Sequence, residues 1–118
     1  MKEEGRDMFA RHDEDGYITA LPGIERKTLV YGEKTLMVEF RLARGALLPF
    51  HSHPYEQTGY LVSGRMTLTV GDEARPLAPG DSWCIAADLS HGAEIHEDAV
   101  AIEVFSPLRE DYLPPAAG

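Results

Sequence analysis

Hydrophobic and polar residues alternate along short stretches of this chain, which is typical of strands that bury one face. Between Lys34 and Ala43, every even-numbered position from Leu36 to Leu42 is apolar, whereas Glu39 and Arg41 occupy odd positions. The stretch from Arg65 to Val70 alternates in the same way. Because successive side chains of a strand point to opposite faces, both stretches predict strands with an apolar face toward a core.

Turn residues divide the rest of the chain into further short segments of strand character. The pair Ser63-Gly64 predicts a tight hairpin before Arg65 to Val70, and His96 to Asp98 predicts another turn. No stretch has the pattern of a long helix, so we expect an all-β sandwich or closed barrel. The additional strands are expected at Tyr17 to Ala20, Glu25 to Tyr31, Gln57 to Ser63, Ser82 to Ala86, Gly92 to Ile95 and Ala99 to Phe105.

The length of 118 residues leaves room for one domain with a core of its own. Residues 1–15 are charged and poorly periodic, so we expect a flexible N-terminal lead-in there. The barrel is expected over residues 16–112. The Pro-rich residues 113–118 predict a flexible C-terminal tail.

The net charge of −9 argues against nucleic acid and anionic membrane surfaces as partners. No apolar run approaches the length of a membrane helix, and the first residues do not lead into the apolar core of a signal peptide. We therefore expect a cytoplasmic location. The single Cys84 lies among apolar residues and is expected to be a small buried side chain.

Three histidines and an amide suggest a site for a divalent metal ion. His51 and His53 are two positions apart and would share one face of an extended strand, and Gln57 keeps the same parity. His91 follows a short apolar strand. Neutral imidazoles and a carbonyl-type oxygen suit Zn, Ni, Mn, Fe, Co or Cu, and the sequence does not choose among them. Glu56 is the alternative fourth ligand, although parity favours Gln57.

A carboxylate and an aromatic ring share one face of the last predicted strand. Val100, Ile102 and Val104 form an apolar face, so Glu103 and Phe105 lie on the opposite one. If that face lines the barrel interior, Glu103 is a carboxylate in a pocket and a candidate general acid or base. If it faces solvent, Glu103 is an ordinary surface charge. The alternation alone leaves both interpretations open.

The histidine motif, with Gln57 seven residues before Gly64, resembles the two conserved motifs of the cupin superfamily. In this resemblance His51, His53 and His91 fall on the family's histidine ligands. Gln57 falls on a position that usually holds glutamate. The resemblance implies a small double-stranded β-helix, or jelly-roll, barrel around one divalent metal ion.

The run Phe-Ser-Pro-x-Arg near the end of the chain is similar to that of the small pectin- and alginate-degradation cupins, which open 4,5-unsaturated uronates into keto sugars. Glu103, Phe105 and Arg109 match that group in spacing, with Glu in place of Asp. The resemblance implies a small anionic substrate, a proton shuttle at Glu103 and an anion contact at Arg109. Phe105, with Trp83 or Tyr60, would wall the sugar ring, although core packing is the plainer interpretation of Trp83.

Other functions occur on the same fold, because a fold does not fix an activity. One alternative is a metal-dependent dioxygenase, although such sites often hold a glutamate where this chain has Gln57. Another is a metal-bearing small-molecule binding module without turnover. Small cupins often pair through N-terminal strands, so by analogy we expect a homodimer that uses Glu25 to Tyr31.

Overall fold

The computed structural model describes residues 8–114, and these residues form a barrel of antiparallel strands. A short 3₁₀ helix at Glu110–Tyr112 follows the last strand. The eight strands of this part of the chain are β1 (Ile18–Leu21), β2 (Ile24–Tyr31), β3 (Leu36–Leu42), β4 (Leu47–His51), β5 (Glu56–Val70), β6 (Glu73–Leu77), β7 (Ser82–Ile85) and β8 (His91–Ser106).

All eight strands belong to one sheet, and the two long strands β5 and β8 lie next to each other within it. They pair antiparallel along their whole length, from Glu56 opposite Ser106 to Val70 opposite His91. One half of this ladder is flanked by β3 and β7, and the other half by β4 and β6. The all-β jelly roll expected from the sequence is therefore confirmed.

The hairpin predicted at Ser63-Gly64 is wrong, because β5 continues through Gly64 as one strand. The pairing register with β8 shifts on both sides of Gly64, which is the mark of a bulge. Gly64 has a φ of +86°, and a Cβ there would lie 2.3 Å from the carbonyl oxygen of Asp98. The turn predicted at His96 to Asp98 is wrong for the same reason, since β8 bends with β5 instead of reversing.

The interior is filled by the apolar faces that the alternation predicts. Leu36 and Val38 are fully buried, and Met66 and Leu68 are 4% and 6% exposed. One apolar cluster is formed mainly by side chains of the two long strands, and a smaller one joins Leu36 and Val38 to Phe105. Burial of these side chains is the main term that stabilises the barrel.

The segment before β1 lies against the sheet although it has no regular secondary structure. Lys27 of β2 donates a hydrogen bond to the Asp13 carbonyl, and Arg41 of β3 forms an ion pair with Glu14. The flexible lead-in and tail predicted from the sequence fall partly on residues 1–7 and 115–118, which lie outside the described residues. The domain limits stay predictions.

The expectation of a buried cysteine is wrong. Cys84 is exposed, because β7 turns its odd position Trp83 toward the interior. Among the described residues, no helix is long and apolar enough to cross a membrane.

Candidate metal centre and active site

Three histidine side chains meet at one point inside the barrel. The ligand atoms of His51, His53 and His91 all lie within 4.8 Å of one another, and the ring centroids are 4.3 to 5.6 Å apart. His51 is the last residue of β4 and lies opposite His91, the first residue of β8. His53 follows in the loop after β4, so the predicted pair does not share a single strand.

Each histidine is oriented by a backbone carbonyl two residues away in the chain. A carbonyl only accepts hydrogen bonds, so each Nδ1 carries the proton and each Nε2 keeps its lone pair. Three Nε2 atoms with free lone pairs form a ligand set for a divalent metal ion. Nδ1–H of His51 donates to the Pro49 carbonyl at 2.9 Å, that of His53 to the Tyr55 carbonyl at 3.1 Å, and that of His91 to the Leu89 carbonyl at 2.9 Å.

Burial keeps two of the histidines neutral. His53 is 8% exposed and His91 is 2% exposed. Desolvation lowers the pKa of both imidazoles, and the positive charge of Arg109 lowers the pKa of His53 further. A neutral imidazole is the form that binds a metal ion, so the cluster is prepared for that role.

Gln57 adds an oxygen to the cluster. The side chain is 5% exposed, and its Nε2 donates a 2.6 Å hydrogen bond to Oε1 of Glu103. The amide oxygen of Gln57 and Nε2 of His53 are buried without a hydrogen-bond partner. Buried polar atoms normally have partners, and a divalent cation bound here would satisfy both atoms. Glu56 points outward and is exposed, so Gln57 rather than Glu56 faces the cluster.

Glu103 faces the interior of the barrel rather than solvent, since it lines the cavity together with Phe105. Its Oε1 accepts hydrogen bonds from Gln57 at 2.6 Å and from Nε1 of Trp83 at 2.9 Å. Oε2 accepts no hydrogen bond from any described residue. Burial raises the pKa of the Glu103 carboxyl, although these two hydrogen bonds and the charge of Arg109 oppose the rise.

Arg109 lies beside the cluster on an aromatic surface. Its guanidinium is 3.7 Å from the ring centroid of Tyr112 and 4.9 Å from that of Phe105. Its Nε also pairs with Asp111 at 3.1 Å, and the side chain is 14% exposed. Arg109 is thus held by packing and by an ion pair at the edge of the cavity.

Tyr112 lines the cavity, and the sequence analysis assigned it no role. Its ring contacts two guanidinium groups, those of Arg109 and of Arg26 at 4.1 Å, and lies edge-on to Phe105. Thr28 donates a short hydrogen bond to the Tyr112 carbonyl. The one signal in the sequence is the close spacing to Arg109, which places both residues at the same 3₁₀ turn.

The cavity encloses about 80 Å³. The histidines, Gln57, Glu103 and Arg109 supply its polar groups. The rest of the wall is apolar and belongs to the core, with Ile24, Leu42, Met66 and Ile95 among its residues. A few polar groups in a mostly apolar cavity are typical of a small-molecule site.

Two of the three residues expected to wall a sugar ring line this cavity, namely Phe105 and Trp83. Tyr60 does not, because β5 turns its odd positions inward here and leaves Tyr60 51% exposed. Trp83 is more than core packing, since its Nε1 donates to Glu103.

Comparisons with known proteins identify a matching family and several similar chains. A family model described as a cupin domain matches residues 38–106. The chain is 32% identical over 93 residues to the pectin degradation protein KdgF of Dickeya dadantii (strain 3937), a match over 77% of this chain and 84% of that protein. The solved structure of KdgF from Halomonas sp. is 34% identical with a TM-score of 0.84, over 89% of this chain and 99% of that one. An RmlC-like cupin from Shewanella frigidimarina is 26% identical with a TM-score of 0.86, over 92% and 97% of the two chains.

Proposed function

Because this chain belongs to the cupin family, we propose that it is a metal-dependent enzyme acting on a small anionic sugar acid. The reaction we propose is the ring opening and ketonisation of a 4,5-unsaturated uronate. The family resemblance and the relative named as a pectin degradation protein support this substrate class. The observation that carries the proposal is the meeting of three histidines, a carboxylate and an arginine around one small cavity.

The metal ion would be held by Nε2 of His51, His53 and His91 and by the amide oxygen of Gln57. All four ligands are neutral, so a divalent ion bound here would keep its full charge and polarise an oxygen of the substrate. Gln57, in place of the commoner glutamate, therefore favours an anionic ligand.

Arg109 would bind the carboxylate of the uronate. Its hydrogen bonds to Asp111 use Nε, so its two Nη groups can donate in parallel to a carboxylate. The ion pair with Asp111 and the contact with Tyr112 hold the guanidinium in place before the substrate arrives. Local attraction of this kind is needed because the net charge of −9 repels anions at long range.

Glu103 would transfer the proton. Ring opening removes a proton from the anomeric hydroxyl as the bond from carbon 1 to the ring oxygen breaks. Ketonisation then returns one proton to carbon 4 of the enol, so the sugar is isomerised without a co-reactant. Oε1 is occupied by its two donors, which leaves Oε2 as the atom that accepts and returns this proton.

A turnover assay on 4,5-unsaturated galacturonate tests the proposal, with loss of the conjugated absorbance as the signal. Metal-loaded protein is compared with metal-stripped protein and with Glu103→Gln. Glu56→Gln is the matched control, because Glu56 is an exposed carboxylate of β5. We expect acceleration that requires metal, that Glu103→Gln lowers by about 10²- to 10⁴-fold and that Glu56→Gln leaves unchanged.

Metal-loaded protein that does not accelerate the reaction would contradict the uronate proposal. Oxygen uptake would then distinguish the dioxygenase from a binding module without turnover. Uptake that depends on metal supports the dioxygenase, and tight binding of sugar acids without uptake supports the binding module.

We also propose that two copies pair along β2. The neighbouring strand β1 pairs with β2 only from Ile24 to Arg26, so no described strand covers the outer edge of residues 27–30. An unpaired strand edge is suited to pairing with another chain. Sedimentation that shows only a monomer would contradict this pairing.

The cytoplasmic location expected from the sequence stays a prediction.

A further inference from the structure

We propose that Trp83 is a positioning residue for the metal centre, which sets the orientation of the Gln57 amide through Glu103 without touching the metal. The inference rests on the metal site of the proposed function and goes beyond it. Three hydrogen-bonding groups form one chain, in which the Trp83 indole and the Gln57 amide both donate to Oε1 of Glu103.

An amide side chain has two ends of nearly the same shape, and only one of them can bind a metal ion. The oxygen has lone pairs to offer, whereas the NH₂ group carries two hydrogens and offers none. Glu103 distinguishes the two ends, because its carboxylate accepts from Nε2 of Gln57 and would repel the amide oxygen. The 2.6 Å bond therefore selects the orientation in which Oε1 of Gln57 remains unpartnered and available.

The carboxylate selects this orientation only if it is itself fixed, and Trp83 fixes it. Three strands lie side by side here, with Gly59 of β5 directly between Trp83 of β7 and Glu103 of β8. The indole crosses over Gly59 to reach the carboxylate at 2.9 Å. A Cβ at Gly59 would lie 2.1 Å from the Trp83 ring, so the crossing requires a glycine at this position.

Gln57 is two residues before Gly59 and faces the same side of β5. The strand register thus places the donor, the carboxylate and the amide in adjacent positions of one sheet. Partners of metal ligands typically change metal affinity by about 10- to 100-fold when they are removed. Trp83 is one step further from the metal, and we expect an effect of about 10-fold.

The test measures Co²⁺ affinity by calorimetric titration and the visible absorption bands of bound Co²⁺, which report its ligand geometry. Trp83→Phe keeps a ring over Gly59 and removes the donor. We expect about a 10-fold loss of affinity and a shift of the bands. Tyr60→Phe, which removes a hydroxyl from an exposed ring of the same sheet, is the control that should change neither.

A double-mutant cycle separates positioning from a general structural effect. In a Gln57→Ala background there is no amide to orient, so Trp83→Phe should cause no further loss of Co²⁺ affinity. The same loss in both backgrounds, or unchanged affinity and bands in the single variant, would overturn the inference. Neither readout uses turnover, so an inactive protein that binds Co²⁺ would overturn the proposed reaction and leave this inference standing.

Discussion

The candidate metal centre has two sides that are built in different ways. On the histidine side, every ring is oriented by a carbonyl only two residues away in the chain. On the amide side, Gln57 is oriented by Glu103, 46 residues away, and Glu103 lies 20 residues from its second donor, Trp83. One side is therefore held by local backbone, and the other depends on three strands being in register.

Because of this difference, the metal affinity and the fine geometry of the site are expected to depend on different sides of the cluster. Local contacts hold the histidines wherever β4 and β8 meet, so these residues are expected to supply most of the metal affinity. The amide side combines long-range contacts with the groups that we propose bind and convert the substrate. Damage to the sheet around Gly59 should therefore alter the amide side while the histidine side stays intact.

The largest effect is expected from removal of a histidine. His91→Ala removes one of three nitrogen ligands and should lower Co²⁺ or Zn²⁺ affinity by more than about 100-fold, since even partners of ligands reach that magnitude. Calorimetric titration is the measurement. His96→Ala is the matched control, because His96 is exposed and bonds to Thr67 outside the cluster. Equal losses of affinity in both variants would contradict the role of His91 as a metal ligand.

The next effect is expected at Glu103, where two replacements distinguish its contacts. Glu103→Ala removes the acceptor that orients Gln57, and metal affinity should fall by about 10- to 100-fold. Glu103→Gln retains an oxygen that can accept from Gln57 and Trp83, so its affinity should fall less, although turnover should drop by about 10²- to 10⁴-fold. A Glu103→Gln variant that binds metal as weakly as Glu103→Ala would contradict this order.

Gly59→Ala is expected to lower metal affinity by less than the variants above and to lower the unfolding free energy clearly. The added methyl would overlap the Trp83 ring, and overpacking of this kind costs about 1 to 3 kcal/mol of unfolding free energy. Urea denaturation measures the cost, and Co²⁺ titration measures any loss at the amide side. Gly32→Ala is the control, because a Cβ at Gly32 has no described atom within 4 Å. If both variants are equally stable, the indole does not need Gly59.

The smallest effect is expected far from the cavity, at Tyr17, whose hydroxyl donates to Glu39 at 2.7 Å. Burial and this hydrogen bond raise the pKa of Tyr17 from 10.0 to about 12. A raised folded-state pKa gives stability that is complete below pH 10 and is lost as the pH rises through 12. Tyr17→Phe should lower the unfolding free energy by about 0.5 to 1 kcal/mol at pH 8 and by less at pH 12.

Urea denaturation at several pH values measures the contribution of Tyr17 to the unfolding free energy. Co²⁺ affinity, measured below pH 8, is the control. That affinity should be the same in Tyr17→Phe and in the unmodified chain, because Tyr17 lies outside the cavity. A stability difference that grows between pH 10 and 12 would contradict the direction of the pKa shift.

Much of the site could be predicted from the sequence because its signals are local. Strand alternation is sufficient to place Glu103 and Phe105 on one face, and the parity of Gln57 distinguishes it from Glu56. The histidines are recognised by spacing, although β4 ends at His51 and does not carry both of the first two.

The errors arise where distant strands decide the outcome. Ser63-Gly64 has the composition of a hairpin, yet pairing along the whole of β8 makes it a bulge. Cys84 is placed outside by the register of β7 with β5, which local composition does not reveal. The contacts of Trp83 with Glu103 and Gly59 join three strands, and no pattern within any one of them indicates the bonds.

The most direct test of the proposed metal site is a crystal structure of the Co²⁺-loaded protein, with anomalous diffraction measured at the cobalt absorption edge. We expect one anomalous peak bonded to Nε2 of His51, His53 and His91 and to Oε1 of Gln57, at about 2.0 to 2.2 Å. Nε2 of Gln57 should still donate to Glu103. A metal ion bound by the Glu103 carboxylate in place of Gln57, or by the Nδ1 atoms of the histidines, would contradict this ligand set.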